Sequence, residues 1–510
     1  MLPWKDSKCW RIQMGIWKGM IALITWNDYE KASDKTQWIQ QALRAYRDSD
    51  EYKKALDEEE YMAGRNVSIQ QTVRVIYNMA GLPEPDFTAS NMKIMDNTIH
   101  RLVTDRCSYS LGNGVSFPGR HKEIKNGKTV FVDPVKDILG DKFDRALKRV
   151  AYWALANHEA YLYVHMGRKK PVWQYTLFKK TEFLPLYDEE TGDLRGGVRF
   201  WSIDWGKRPI TAVLYLEEGY IKYQTKKDEY SIASLEQVGN LRPYIETVQT
   251  SEAFGEEVVG SETLTRLPIF PLHSGEMRNS ALDRLRDVID ATDMVLSGFV
   301  NDIHDIPQVY WLISGATGMS EGQKRELLDR LILQHMAVID GENSKIQGYT
   351  QDIPYEAREK CLDRLHNKMY EKYGGFDVHT IEAGATNDHI EAGYWPMDEE
   401  ADDFEYEIID FVQAILEMMG QTDGTTPIFK RNRVSNQKEQ TEMVMLAANY
   451  LDDQTILEKL PFVTVDEVDD ILARKDGEEY NRIDDNKTGG SGNGNGGSDN
   501  DDDEPGDGDI

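Results

Sequence analysis

Residues 298–311 read GFVNDIHDIPQVYW, and within four positions Asp302, His304 and Asp305 offer two carboxylates and an imidazole. Those are ligand types that hold a divalent metal, and a metal here would suit a DNA-processing hydrolase. On a helix, however, only 302 and 305 share a face, because neighbours at spacings of one and two point apart. The plainer reading is the polar end of a helix stopped by Pro307, which cannot continue the hydrogen-bond ladder. His379 and His389 form a second candidate, in one expected loop with Asp377, Asp388 and Glu391. No GxxxxGK[ST] phosphate loop, GxSxG elbow, HExxH or EF-hand loop occurs. GNG at 112–114 and at 492–494 is too short for a dinucleotide fingerprint and reads as turn glycine. No catalytic centre and no cofactor site emerges, so the chain reads as a structural protein rather than an enzyme.

The elements that would carry these residues belong to a large, acidic chain. At 510 residues, two or more domains are expected. Acidic residues number 89 against 59 basic ones, a formal charge of −30, which excludes gripping nucleic acid through a broad basic face. Three scattered cysteines (Cys9, Cys107, Cys361) build neither a disulfide framework nor a paired zinc site and fit a reducing cytoplasm. The N-terminal WRIQMGIWKGMIALITW is interrupted by Arg11 and Lys18 and is too short in its uncharged run to span a bilayer. A protein-packed amphipathic helix is expected there, with no membrane contact.

Residues 27–60 read as charged helices, and NMKIMDNTIHRLVTDRCSYSLGN as another, with Ile94, Ile99, Leu102 and Val103 on its apolar side. DKFDRALKRVAYWALANHEAYLYVHM is a helix turning into an aromatic strand, and short β runs follow from Trp173 to about Tyr230. In SALDRLRDVIDATDMVLSGFVNDI, Leu282, Leu285, Ile289, Thr292, Leu296, Phe299 and Ile303 form one stripe, while Asp290 and Asp293 fall on other faces. A small αβ unit follows: strand QVYWLISG, a helix whose Ser320 and Gln323 make a capping box, and strands MAVID and KIQGYT. Pro354 starts a second long helix, ended by Gly374-Gly375, with Leu362, Leu365 and Met369 along it. After a loop over 376–393 come an acidic helix from DEEADDFEYE, a strand-like TPIFKRNRVSN whose basic residues read as solvent-facing, and further helices. From Asp476 the sequence is low-complexity and acidic and is expected to be disordered. The fold class is α+β, predominantly α-helical.

That order of parts, with its local words, resembles the portal proteins of long-tailed bacteriophages. EEEYMAGRNVSI resembles the family's YY-x-G-x-H-x-I opening, with Asn66 where His is usual, and LANHEAYLYVHM its x-x-G-x-A-Y-x-Y-V. NMKIMDNTIHRLVTDRCSYSLGNGVSF, LTRLPIFPLHSGEMRNSALDRLRDVIDATDMVLSGFVNDI, FKRNRVSNQKEQTEMV and TILEKLPFV are similar to later words, so the likeness covers about 58–475. GATNDHIEAGYW departs from the family's S-G-x-A stretch after the second long helix.

The resemblance implies a ring-forming oligomer, a dodecamer, at one capsid vertex, through which double-stranded DNA is packaged, retained and ejected. It implies a wing (1–275, with helix and strand over 394–435), stem helices (276–305 and 355–375), a clip (306–354), a tunnel loop (376–393), a crown (436–475) and an acidic tail (476–510). His379, Thr380, Glu382, Gly384, Thr386, Asn387, Asp388 and His389 would then face DNA. Leu282, Leu285, Ile289, Leu296, Phe299, Leu362, Leu365 and Met369 would pack subunits together in the stem. Ser320, Lys324, Arg325, Arg330, Asn343 and Lys345 would lie on the clip's docking surface. The implied partners are the chain itself, the terminase large subunit, major capsid and scaffolding proteins, and head-completion or adaptor proteins. The implied place is the virion, after assembly in the host bacterial cytoplasm. A DNA-processing metalloenzyme and a virion protein that forms no ring stand as alternatives.

Overall fold

A computed structural model of the chain describes residues 24–460 apart from 78–81, 86–89, 119–120, 126–127, 168–171, 202–209, 227–230, 252–254, 263, 306–309, 315–319, 321, 324, 327–344, 350–353, 378–385 and 434–436, with scattered positions from 463 to 474. The chain is mixed helix and strand and divides into two units. The larger comprises Met1–Arg120, Asp133–Ile381 and Glu391–Arg433; the smaller comprises His121–Val132, Glu382–Ile390 and Val434–Ile510. The expected N-terminal helix and acidic tail lie outside the described residues. Among the described residues, no helix is long and apolar enough to cross a membrane.

In the larger unit the charged N-terminal region forms helices α1 (Lys35–Asp48) and α2 (Asp50–Met62). Asp34 and Ser49 start them by accepting from the backbone N–H groups of Gln37 and Tyr52, satisfying donors that have no partner inside the helix. Helix α1 buries Ile39, Leu43 and Tyr46 against a five-stranded antiparallel meander, Phe183–Tyr187, Leu194–Trp201, Thr211–Leu216, Gly219–Thr225 and Leu235–Arg242. Side chains alternate as a pleated strand requires. Leu184, Leu186, Val198, Ala212 and Leu214 face the helices, while Phe183, Val213 and Tyr215 meet Tyr161 and Phe178 on the other side. Those last two come from a three-stranded sheet with Glu159–Met166 between Trp173–Phe178 and Ile269–His273. Gly197 is needed in the meander, because a Cβ there would lie 2.1 Å from the Phe183 ring. The β region runs past the expected Tyr230: Leu235–Arg242 and the hairpin Ile245–Ser251/Gly255–Glu262 are polar strands with too few apolar residues to show a period-two pattern.

The main core gathers around five helices: α3 (Thr98–Leu111), α4 (Phe143–Asn157), α5 (Ala281–Asp305), α6 (Tyr355–Tyr373) and α7 (Asn387–Met418). Three expectations shift here. Residues 90–97 are not helical, so Ile94 precedes α3 rather than lying on it. Helix α7 starts at Asn387 instead of 398 and runs through Pro396. An interior proline costs a helix about 3 kcal/mol, and burial of Tyr394 and Met397 on either side offsets it. Asp293, expected on a solvent face, is fully buried. Between α5 and α6, strands Tyr310–Ser314 and Lys345–Tyr349 pair antiparallel, as an αβ insertion requires. The expected MAVID strand lies outside the described residues. The smaller unit contains the hairpin His121–Lys125/Lys128–Val132, helix α8 (Gln437–Ala447) and a helix Asp453–Lys459 capped by Asp452.

Helix α4 turns into its strand at His158, which occupies the family pattern's glycine position and adopts the left-handed φ of 57°. Its ring is buried, and Nε2 accepts from the buried Lys180 ammonium at 2.8 Å. Burial, then the Lys180 charge, pushes His158 down to about 3; burial likewise pushes His273 down to about 4. Unfolded histidines take up protons near pH 6.5, so between there and pH 4 the unfolded chain binds more protons and stability falls on acidification. Asparagine tolerates left-handed backbone. The His158→Asn chain should therefore be less stable at pH 7 yet lose stability less steeply from pH 6.5 to 4, by up to about 1.4 kcal/mol per pH unit. Urea titrations across that range measure the slope; an unchanged slope contradicts the assignment.

Candidate functional site: the paired long helices and their loop

Helices α5 and α6 lie antiparallel, joined by ion pairs toward both ends. Lys372 reaches Asp287 at 2.6 Å, and Arg358 reaches Asp302 at 2.5 Å while its guanidinium lies over Phe299. Asp302 also accepts from Arg74 at 3.3 Å. His304 Nδ1 is 2.6 Å from Ser90 Oγ. Two arginines thus occupy the carboxylate that opened the metal question. Among the described residues, no three His, Cys, Asp or Glu side chains converge as a metal cluster.

The apolar stripe of α5 divides at Asp293. Leu282, Leu285 and Ile289, together with Met369 of α6, are sealed in the chain's own core. The chain's own core thus already covers these four of the side chains expected to pack subunits together. Leu365 is half-buried against that core, whereas Leu296, Phe299 and Leu362 are half-exposed and Ile303 is exposed. Thr292 is buried and its hydroxyl donates to Val288 O at 2.8 Å.

Beyond Asp293 a polar ladder runs along α5. Asp293 Oδ1 accepts from Asp96 N at 2.9 Å, Ser297 Oγ accepts from Ile94 N at 2.9 Å, and Asn301 Oδ1 accepts from Met92 N at 2.7 Å. Ser297 and Asn301 also donate back to the Ile94 and Met92 carbonyls, at 3.2 and 2.9 Å. The match is metric: four helical residues rise about 6 Å, and two extended residues span about 6.6 Å. This explains why residues 92–96 are not helical: the backbone groups of Met92, Ile94 and Asp96 are satisfied by the helix's side chains. Asn66, at the family's histidine position, caps the short helix Val67–Gln70 and donates to Asp293 Oδ2 at 2.8 Å. Burial pushes Asp293 up to about 6, against the pull of its two donors.

One carboxylate joins four helices. Glu400 of α7 binds Arg284 of α5 at 2.6 Å and the buried Arg106 of α3 at 3.1 Å. The Arg106 guanidinium covers the Tyr373 ring of α6 at 3.9 Å and donates to the Tyr373 carbonyl. The loop leaving α6 is pinned at its start: Asp377 lies 3.2 Å from His366, and Phe376 packs on Tyr394 with ring centroids 4.4 Å apart. Gly393 makes that possible, since a Cβ there would meet the Phe376 ring at 2.3 Å. Tyr394 stacks on Tyr109, whose hydroxyl donates to Asp398 at 2.6 Å. Arg431 and Arg433, expected to face solvent, instead dock on α7's acids: Arg431 reaches Asp398 and Glu405, each at 2.9 Å, and Asp402, while Arg433 reaches Asp398 and Glu391.

Of the tunnel-loop residues, His379, Thr380, Glu382 and Gly384 lie outside the described residues. Asn387, Asp388 and His389 form the first turn of α7 rather than a loop, with Thr386 Oγ1 accepting from His389 N at 3.4 Å. In the insertion, Ser320 and Gln323 make the reciprocal capping box, the two backbone donors reaching side chains at 3.0 and 3.4 Å. Arg325 is exposed; Lys324, Arg330 and Asn343 lie outside the described residues, and Lys345 is placed only by its strand.

The family model described as "Phage portal protein, SPP1 Gp6-like" matches residues 39–480. The chain belongs to the phage portal protein family. It is similar to the portal protein of Clostridium phage phiCD119, 23 % identical over 82 % of this chain and 96 % of that one. It is also similar to the portal protein of Bacillus phage SPP1, 22 % identical over 78 % of each. Among solved structures it resembles a chain of the "Virion of native gene transfer agent (GTA) particle" (TM-score 0.39, 9 % identity, 80 % of this chain and 92 % of that one). A second is a chain of the "Neck of empty GTA particle computed with C6 symmetry" (TM-score 0.36, 9 % identity, 70 % and 87 %).

In this portal protein, Glu400→Ala leaves the buried Arg106 without its carboxylate, which should cost about 3 kcal/mol of unfolding free energy; chemical denaturation measures it, and a loss below about 1 kcal/mol contradicts the four-helix role. Gly393→Ala forces the Phe376 ring aside and should cost about 1–3 kcal/mol. Limited proteolysis within 378–385 should speed up in that chain, whereas unchanged cleavage means Phe376 does not hold the loop.

Proposed function

We propose that this phage portal protein closes into a ring of about twelve subunits at one capsid vertex, and that DNA enters and leaves through its centre. The observation that carries the reading is the family match over residues 39–480. In this reading 1–275 and 394–435 form the wing, α5 and α6 the stem, 306–354 the clip, 376–393 the tunnel segment, ending in the first turns of α7, 436–475 the crown and 476–510 an acidic extension. The clip docks the terminase large subunit and later the head-completion proteins; capsid and scaffolding proteins meet the ring elsewhere. Assembly takes place in the host cytoplasm before the ring enters the virion.

Two features of the chain support this. Helix α6 is charged and exposed on nearly every face from Tyr355 to Lys368, unusual for a helix meant to stand alone. A ring gives it neighbours, with Leu296, Phe299 and Leu362 as subunit contacts. The charge of −30, repeated around a ring, gives a lining that repels phosphate and lets duplex DNA slide, since each Lys–phosphate contact adds affinity and friction. The chain then works as a conduit, and movement of DNA is driven by the motor docked on it.

Mass photometry with negative-stain microscopy tests the assembly. Rings with a central hole near twelve times 58.5 kDa are expected, and a stable monomer contradicts the reading. The same rings should retain no duplex DNA at physiological salt; tight binding with a steep salt dependence contradicts the repulsive lining.

A further inference from the structure

The two halves of α5 are held by different forces. Leu282, Leu285, Val288 and Ile289 are sealed in the core, whereas beyond Asp293 the side chains of Met294 and Ile303 are 59 % and 49 % exposed. What holds this outer half on the side facing residues 90–97 is the polar ladder, continued at its end by Ser90 against His304 and flanked by the Arg74–Asp302 pair. The strap itself brings little apolar cover, for Met92 is exposed and Ile94 only half-buried. A contact made by hydrogen bonds to a half-exposed strap can open without uncovering a core.

Ser297 and Gly298 sit in the middle of that ladder. Glycine weakens a helix interior relative to alanine, so it is usually kept where a Cβ would collide. That is the case at Gly197 and Gly393, where a Cβ would overlap an aromatic ring. At Gly298 a Cβ would meet nothing within 4 Å. Packing within the chain therefore does not explain this glycine, and Gly/Ser pairs are among the few sequences at which helices kink sharply.

We propose that Ser297-Gly298 is a hinge in α5 and that residues 90–96 are its latch. The rungs at Asp293 and Ser297 lie on the core side of Gly298 and the rung at Asn301 on the outer side, so the strap splints the helix across the glycine. With the rungs released, the segment 299–305 bends away from the core. The Asp302–Arg358 pair keeps it joined to the exposed N-terminal half of α6, and the two helix ends move together with the insertion between them. The device gives the outer end of the helix pair two positions, latched and released, without rearranging the main core.

Hydrogen exchange on the full chain tests this without reference to ring assembly, so it stands or falls apart from the proposed function. In the Ser297→Ala/Asn301→Ala chain, amides 299–305 should exchange at least about tenfold faster while 282–289 keep their native rates. Adding Gly298→Ala should slow 299–305 again by about fivefold, the factor by which alanine favours helix over glycine. Should the double variant lose protection throughout α5, Gly298→Ala in the otherwise native chain decides, and it should slow 299–305 by a similar factor. Unchanged rates at 299–305 on removing the rungs, or no slowing by Gly298→Ala, overturn the hinge.

Discussion

Glu400 is the point on which the rest of the larger unit depends. Its carboxylate accepts from Arg106 and Arg284, and Arg106 in turn covers Tyr373, so helices α3, α5, α6 and α7 are oriented around one negative charge. Burying a guanidinium is costly unless it is paired and its donors satisfied. Arg106 meets that condition with a carboxylate, a carbonyl and an aromatic face. Tyr373, which Arg106 covers, is the last residue of α6, and the chain leaves that helix immediately beyond it. Gly374 takes a positive φ of 66° to turn the chain out of α6, and a Cβ there would lie 2.7 Å from Glu400 Cγ. The loop's start is therefore set by the same contact that sets the helices.

A strongly acidic chain must also distribute its few cations where they do most. Helix α7 gathers acids at 398, 399, 400, 402, 403 and 405, and Arg431 and Arg433 return from a distant part of the chain to neutralise three of them beside Tyr109. Elsewhere the solution is hydrogen bonding: Asp293 is buried and accepts from the Asn66 side chain and the Asp96 backbone, in a ladder that also includes Ser297 and Asn301. These devices leave the outer faces of α6 and α7 charged.

Much of this was legible in the residues. The two long helices, the αβ insertion, the capping box at Ser320 and the β region all follow from periodicity, proline and glycine punctuation, and cap chemistry. What was not legible depended on partners distant in sequence. Ile94 fits a helical pattern, and nothing local reveals that Ser297 and Asn301 will capture the backbone around it. Asp293 looks like a solvent-facing acid until Asn66 and Asp96 are placed beside it. Arg431 and Arg433 look exposed because their acids lie some thirty residues earlier on α7. An apolar stripe does not say which surface covers it, so Met369 and the first half of the α5 stripe fit a subunit contact in the sequence as well as they fit the core that buries them.

The most direct measurement is a cryo-EM reconstruction of the assembled particle at side-chain resolution. The account predicts a rotationally symmetric ring in which α5 and α6 surround a central channel, the 376–386 segment points into it, and acidic side chains dominate its lining. A closed particle without a hole, a channel lined mainly by lysine and arginine, or α5 and α6 placed on the outer rim would contradict it.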